Sequence, residues 1–100
     1  MDFGIIWMPS ALAALEFALG YIRQRSSQAA ESVRTDILSH VATLRRPPFM
    51  GPVYERDRSR QTREILCLTY RIFYRVNEAE KQVEILLVWH SSQREPDLQN

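Results

Sequence analysis

Arg63, Arg71, Arg75 and His90 are the side chains of this sequence best suited to chemistry. Guanidinium forks and an imidazole together can handle a phosphodiester: the cations hold the phosphate, and the ring moves a proton near neutral pH. If Tyr70 to Val76 is a strand, Arg71 and Arg75 share a face with Phe73, and in the next run His90 shares parity with Glu84. These residues then converge on one sheet face or edge. The same arginines can instead pair with Glu64 and Glu84 across strands, a purely structural use. Residue types alone leave both uses open. His40 lies far from His90 in the chain, and no carboxylate stands at ligand spacing, so no metal site is expected. Cys67 cannot form an internal disulfide; in an apolar run it reads as an inert buried thiol, which fits a reducing, cytoplasmic setting. No Gly-rich phosphate loop, HExxH, CxxC or GxSxG occurs.

Charge is unevenly distributed. The formal net charge is +1 over 100 residues, but residues 1–44 sum to −1, 45–75 to +5 and 76–100 to −3. All the cations of the middle block are arginine: Arg45, Arg46, Arg56, Arg58, Arg60, Arg63, Arg71 and Arg75. Such a block suits a polyanionic partner, or it forms an ordinary solvated surface.

The positioning elements follow from pattern. A chain of 100 residues, 45% hydrophobic and 25% charged, is one small globular domain, residues 1–100, and neither disordered nor fibrous. Ile5–Met8 and Ala11–Leu15 are too short to span a membrane, and Asp2 stands where a secretory signal would be basic. Phe3–Trp7 reads as a strand. Pro9 then suits the first turn of a helix whose stripe is Leu12, Leu15, Leu19 and Ile22, with Phe17 and Tyr21 as an i, i+4 pair beside it. Ser26 or Ser27 caps a second helix with the stripe Ala30, Val33, Ile37, Val41 and Leu44, stopped by Pro47 and Pro48. The expected helical hairpin covers 9–25 and 27–46. Val53–Arg60 holds a short edge strand or a loop. Glu64–Leu68, Tyr70–Val76 and Val83–His90 are strands, the last apolar on both sides and therefore central. Its strict alternation sets Val83, Ile85, Leu87 and Trp89 against Glu84, Leu86, Val88 and His90. Polarity predicts fraying from Ser91 onward. The fold class is α+β, with an N-terminal strand and a helical hairpin packed on a mostly antiparallel sheet in two layers.

The order and spacing of several short segments resemble the RelE/ParE superfamily of toxins. They are Ile6-Trp7, Ala11–Leu15, Tyr21-Ile22, Ser27 and Ala29-Ala30, then Ile37, Leu44, Pro48 and Gly51. Next come Arg63-Glu64-Ile65, Tyr70-Arg71-Ile72, Tyr74-Arg75-Val76, Val83–His90 and Arg94-Glu95. The likeness spans roughly residues 5–95.

The resemblance implies the toxin of a type II toxin–antitoxin pair, neutralised by a cognate antitoxin and needing no cofactor, metal or membrane. RelE-like members cleave messenger RNA on the ribosome; in this chain that would assign Arg63 and Arg71 to the phosphate and His90 to acid–base work. In-line attack by a ribose 2′-hydroxyl needs such a base and such cations. ParE-like members inhibit DNA gyrase by binding, through a surface that here would include Arg63, Arg71, Arg75, His90 and Arg94. Two departures weaken the nuclease pattern: no tyrosine follows His90, and Glu64 stands where nuclease members favour lysine. The ending, His90 and then Arg94-Glu95, is similar to the ParE type, so a gyrase inhibitor is expected, with a ribonuclease or a decayed non-toxic homologue as alternatives. An antitoxin is expected to cover exposed apolar side chains, for which Phe17, Tyr21, Phe49 and Met50 are the candidates.

Overall fold

In the computed structural model, which describes residues 2–96, the first strand is Gly4–Trp7 (β1). Helix α1, Pro9–Arg23, follows it with proline in the first turn, where a missing N–H leaves no helical bond unmade. Helix α2 is Ser27–Ala42. Ser26 caps it, its hydroxyl accepting the Ala29 amide at 3.0 Å. A single 3-10 turn at Thr43–Arg45 carries the chain to the proline pair. The sheet is completed by β2 (Thr62–Cys67), β3 (Tyr70–Asn77) and β4 (Gln82–His90).

The strand order is β1-β4-β3-β2, with β1 parallel to β4 and the remaining pairs antiparallel. Both helices cover one face. Leu15, Leu19, Ile37, Val41 and Leu44 bury their side chains against Ile72, Tyr74, Val83, Ile85 and Val88. At roughly 1.5–3 kcal/mol for each large apolar side chain removed from water, this layer is the main favourable contribution to folding. The α1 stripe is displaced from its sequence expectation. Ala11 is buried while Leu12 is 47% exposed, because the helix brings its small residues close to the sheet. Outside β2, Val53 forms one antiparallel bridge with Arg63, so most of the Val53–Arg60 stretch is loop.

One irregularity governs everything distal to it. Phe73 faces Leu87 and Tyr74 faces Ile85, which leaves Leu86 as an unpaired bulge residue in β4. The expected strict alternation therefore fails after Ile85. Val88 and His90 turn to the helix side with Val83 and Ile85, and Leu87 and Trp89 turn to the opposite face with Glu84. The carbonyl of Leu86 accepts the Ser10 hydroxyl at 2.7 Å, so the first turn of α1 seals the bulge.

Candidate functional site

The bulge separates the residues that the sequence brings together. Arg71 pairs in register with Trp89, and Tyr70 pairs with His90. Neighbours along a strand point to opposite faces, so Arg71 and Arg75 lie on the open face with Phe73, and His90 lies on the helix side. Arg63, opposite Tyr74 in β2, also has helix-side parity. The expected convergence of Arg63, Arg71, Arg75 and His90 on one face or edge is not complete: Arg63 and Arg75 border a common cleft, while Arg71 is clamped on the open face and His90 lies on the helix side.

On the open face, Arg71 is 19% exposed and clamped between two carboxylates. Its Nε donates to Glu64 Oε1 at 3.0 Å and its Nη1 to Glu95 Oε2 at 2.6 Å. The guanidinium lies 5.1 Å from the Phe73 ring centre and 5.6 Å from that of Tyr54. Tyr54 donates its hydroxyl to the other Glu95 oxygen at 3.3 Å, and its ring meets Phe73 edge to face. Hydrogen bonds from Arg71 hold the Glu95 carboxyl below its usual pKa, while burial and the Glu95 charge push the Tyr54 hydroxyl up. The same bonds to Glu95 and Glu64 raise the Arg71 pKa, so its charge is permanent. Arg75 likewise closes on Glu84, with Nε 2.8 Å from Oε1. The cross-strand pairing that the sequence allowed is the one adopted.

Arg63 is engaged differently. Its Nη1 donates to the carbonyls of Gly51 at 2.7 Å and Phe49 at 3.3 Å, and the guanidinium rests over the Phe49 ring. Gly51 fits because a Cβ there would lie 2.5 Å from the Glu64 carbonyl oxygen and 2.8 Å from the Tyr74 hydroxyl. That hydroxyl accepts the Gly51 amide at 2.9 Å inside the core. Arg94 contributes its backbone carbonyl, which accepts the Trp89 indole N–H at 2.9 Å, and its side chain is exposed. The expected fraying from Ser91 falls partly on residues 97–100, outside the described residues; within 91–96, Glu95 is held by Arg71 and Tyr54.

On the helix side, α1 and the distal half of β4 enclose a groove of about 600 Å³, lined by Ala14, Phe17, Ala18, Tyr21, Tyr70 and His90 among others. Phe17 is 81% exposed and Tyr21 63%, which is far from ordinary for aromatic rings. His90 stacks edge to face on Tyr70, and its Nδ1 accepts the Ser92 amide at 3.1 Å. A neutral ring in that arrangement carries its proton on Nε2. Phe49 and Met50 are exposed as well, but they lie apart from this groove, in the loop beside β2. The four apolar candidates therefore form two patches.

Sequence reasoning missed Tyr54, which burial and its bond to Glu95 make part of the Arg71 cluster, because nothing in a polar stretch signals a buried ring. Cys67 is fully buried, as expected, and burial pushes its thiol pKa up. Among the described residues no helix is long and apolar enough to cross a membrane, and no group of His, Cys, Asp and Glu side chains could hold a metal ion.

Solved structures with this fold include a chain of the chromosomal ParDE toxin–antitoxin system of P. aeruginosa. It is 18% identical with a TM-score of 0.72, over 89% of this chain and 96% of that one. A chain of the RelBE2 toxin–antitoxin complex of Mycobacterium tuberculosis is 20% identical with a TM-score of 0.61, over 90% and 99%. At such identities the likeness establishes the fold, two helices on a four-stranded mixed sheet. A search of curated proteins gives no significant sequence match. The family model of the ParE toxin of the type II toxin–antitoxin system parDE matches residues 5–95, and the chain belongs to that family.

Proposed function

We propose that this toxin acts by binding, as an inhibitor of DNA gyrase, and that it is not a ribonuclease. One observation carries the reading: Arg71 is saturated by Glu64 and Glu95, while His90 stands on the other face of the sheet. A phosphate approaching Arg71 would meet two carboxylates, His90 does not share that face, and the Tyr54 hydroxyl that does is buried and donates to Glu95. Cleavage through a 2′-hydroxyl needs cation and base around one phosphate. Inhibition by contact needs only a shaped surface, for which Arg63, Arg71, Arg75, His90 and Arg94 remain the proposed contributors.

The partner that neutralises the toxin is an antitoxin, and the groove between α1 and β4 is its proposed seat. Exposed aromatic rings around small alanines suit an extended or helical peptide, with Phe17 and Tyr21 as anchors. Phe49 and Met50 would form a second, separate contact. The P. aeruginosa and M. tuberculosis relatives come from toxin–antitoxin systems, which supports a partner of this kind.

The test is induced expression in cells, scored beside a gyrase supercoiling assay and a ribosome-dependent messenger-cleavage assay. Growth arrest with inhibited supercoiling and intact messenger is the expected result. Messenger cleavage by the wild type, abolished by His90→Ala, would replace this reading with the ribonuclease.

A further inference from the structure

The arginine block of the sequence is only partly used by the structure. Arg46 pairs with Asp2, Arg71 with Glu64 and Glu95, and Arg75 with Glu84, while Arg63 is tied to backbone carbonyls. Arg56, Arg58 and Arg60 are exposed and make no salt bridge among the described residues. All three sit on the loop that joins Tyr54 to β2.

That loop is built to hold its shape. The Tyr54 amide donates to the Thr62 carbonyl at 2.7 Å, closing the base. Asp57 points inward, where its carboxylate accepts the amides of Ser59 at 3.0 Å and Thr62 at 2.8 Å and the Ser59 hydroxyl. These bonds, the one from Thr62 first, lower its pKa to about 2. Arg60 has a φ of 60°, in the left-handed region. That region is unfavourable for a non-glycine residue, and Leu68 and Lys81 adopt it as well. The Arg60 guanidinium makes no salt bridge among the described residues. It borders an open cleft of about 520 Å³ shared with Arg63 and Arg75. Residues 55–63 hold four arginines against Glu55 and Asp57, a surplus of two positive charges on a small protrusion.

We infer that the Arg56–Arg60 loop is a contact surface for the phosphodiester backbone of duplex DNA. Charge complementarity to a polyanion is the first reason. The second is what the loop lacks. Single-stranded nucleic acid is held by stacking its bases on open aromatic faces. Here Tyr54 is buried, and one face of Phe49 is covered by Arg63. Nor is the loop a helix or ribbon that could enter a major groove and read bases, so contact is confined to the backbone and is independent of sequence. The choice of DNA over RNA rests on the proposed gyrase reading, because the target of such an inhibitor handles duplex DNA.

The test is fluorescence anisotropy of the purified full chain with a labelled mixed-sequence DNA duplex, titrated at several salt concentrations. Three released counterions give a log–log salt slope of about −2.7, or roughly 40-fold weaker binding between 50 and 200 mM salt. The triple variant R56Q/R58Q/R60Q is expected to lose most of that slope. The variant R23Q/R25Q/R34Q removes equal charge from the helical layer and is expected to bind like wild type. Equal weakening by that control would reduce the effect to bulk charge and overturn the inference. So would absent duplex binding, or tighter binding to a single-stranded RNA or an RNA duplex of the same length. Loop-dependent DNA binding without inhibited supercoiling would sink the gyrase reading and leave the contact standing. Inhibited supercoiling that survives the triple variant, in a chain that does not bind DNA through the loop, would do the reverse.

Discussion

The two faces of the sheet spend their functional groups in opposite ways. On the open face every conspicuous polar side chain has an internal partner: Arg71 with Glu64 and Glu95, Arg75 with Glu84, Tyr54 with Glu95. In the groove between α1 and β4 the conspicuous groups are rings standing in solvent, Phe17 and Tyr21 above all. The arginines that look catalytic are tied to internal partners, and the rings that look like core stand in solvent as the proposed antitoxin anchors. Ion pairs that close on each other within a half-buried layer add specificity of register more than free energy. Exposed rings contribute nothing to the isolated chain and much to a complex.

Gly51 gives the largest expected effect and tests whether the polar side is as tightly built as its bonds suggest. Gly51→Ala sets a Cβ against a backbone oxygen that cannot move aside and displaces the amide from the Tyr74 hydroxyl. A loss of about 3 kcal/mol is expected from overpacking together with the broken hydrogen bond. It is measured as a shift of the urea midpoint at constant slope. A loss below about 0.5 kcal/mol, the scale of an ordinary surface change, would mean that the 49–54 segment yields freely.

The contrast between the faces is sharpened by pairing two variants. Arg71→Ala strands two carboxylates and is expected to cost about 2 kcal/mol of stability, with no recovery in Arg71→Lys because an ammonium lacks the fork that spans both. Phe17→Ser with Tyr21→Ser should leave stability within about 0.5 kcal/mol and weaken an antitoxin peptide roughly 30-fold or more. Calorimetric titration and denaturant unfolding on the same samples decide it. A destabilised aromatic variant with unchanged peptide affinity would reverse the assignment of the two faces.

Much of this was legible in the chain. Pro9 and Ser26 mark the helix starts through backbone chemistry that tertiary contacts do not override, whereas the Pro47-Pro48 pair sets only an outer limit: the expected helix to 46 ends at Ala42 and a 3-10 turn follows. The parity of Arg71 and Phe73 was readable for the same reason. Strict alternation misplaces His90 because a bulge is set by how Val88 and Leu87 divide between two layers, and two adjacent apolar residues carry no sign of that division. Polarity alone reads the 91–96 segment as fraying and cannot register that Glu95 meets a cation from a distant strand.

Acid probes the polar side more gently. Asp57 has its pKa lowered from 3.8 to about 2, so the folded state favours its charged form. A depressed carboxylate contributes stability that is complete above the unfolded value and is lost as pH falls through the folded one. The loop should therefore lose on the order of 1 kcal/mol between pH 4 and pH 2. Glu95, lowered by its bonds to Arg71, acts in the same direction. Asp57→Asn should flatten this part of the pH dependence in thermal unfolding, and an unchanged profile would show that the carboxylate does not order the loop.

The smallest effect addresses what holds the bulge that keeps the two faces apart. Ser10 donates to the Leu86 carbonyl from the exposed start of α1, and Ser10→Ala removes that bond where water can replace it. A cost of about 0.5 kcal/mol is expected, at the low end for a hydrogen bond. The register should survive, because Val88 is 5% exposed and a one-residue slip would carry it out of the core onto the open face. The edge-to-face contact of Tyr70 with His90 reports this directly, since the two rings meet only when His90 is on the helix side. Nuclear Overhauser effects between those rings should persist in the variant with unchanged intensity. Their disappearance would mean that Ser10, and not the burial of Val88, decides which face His90 occupies.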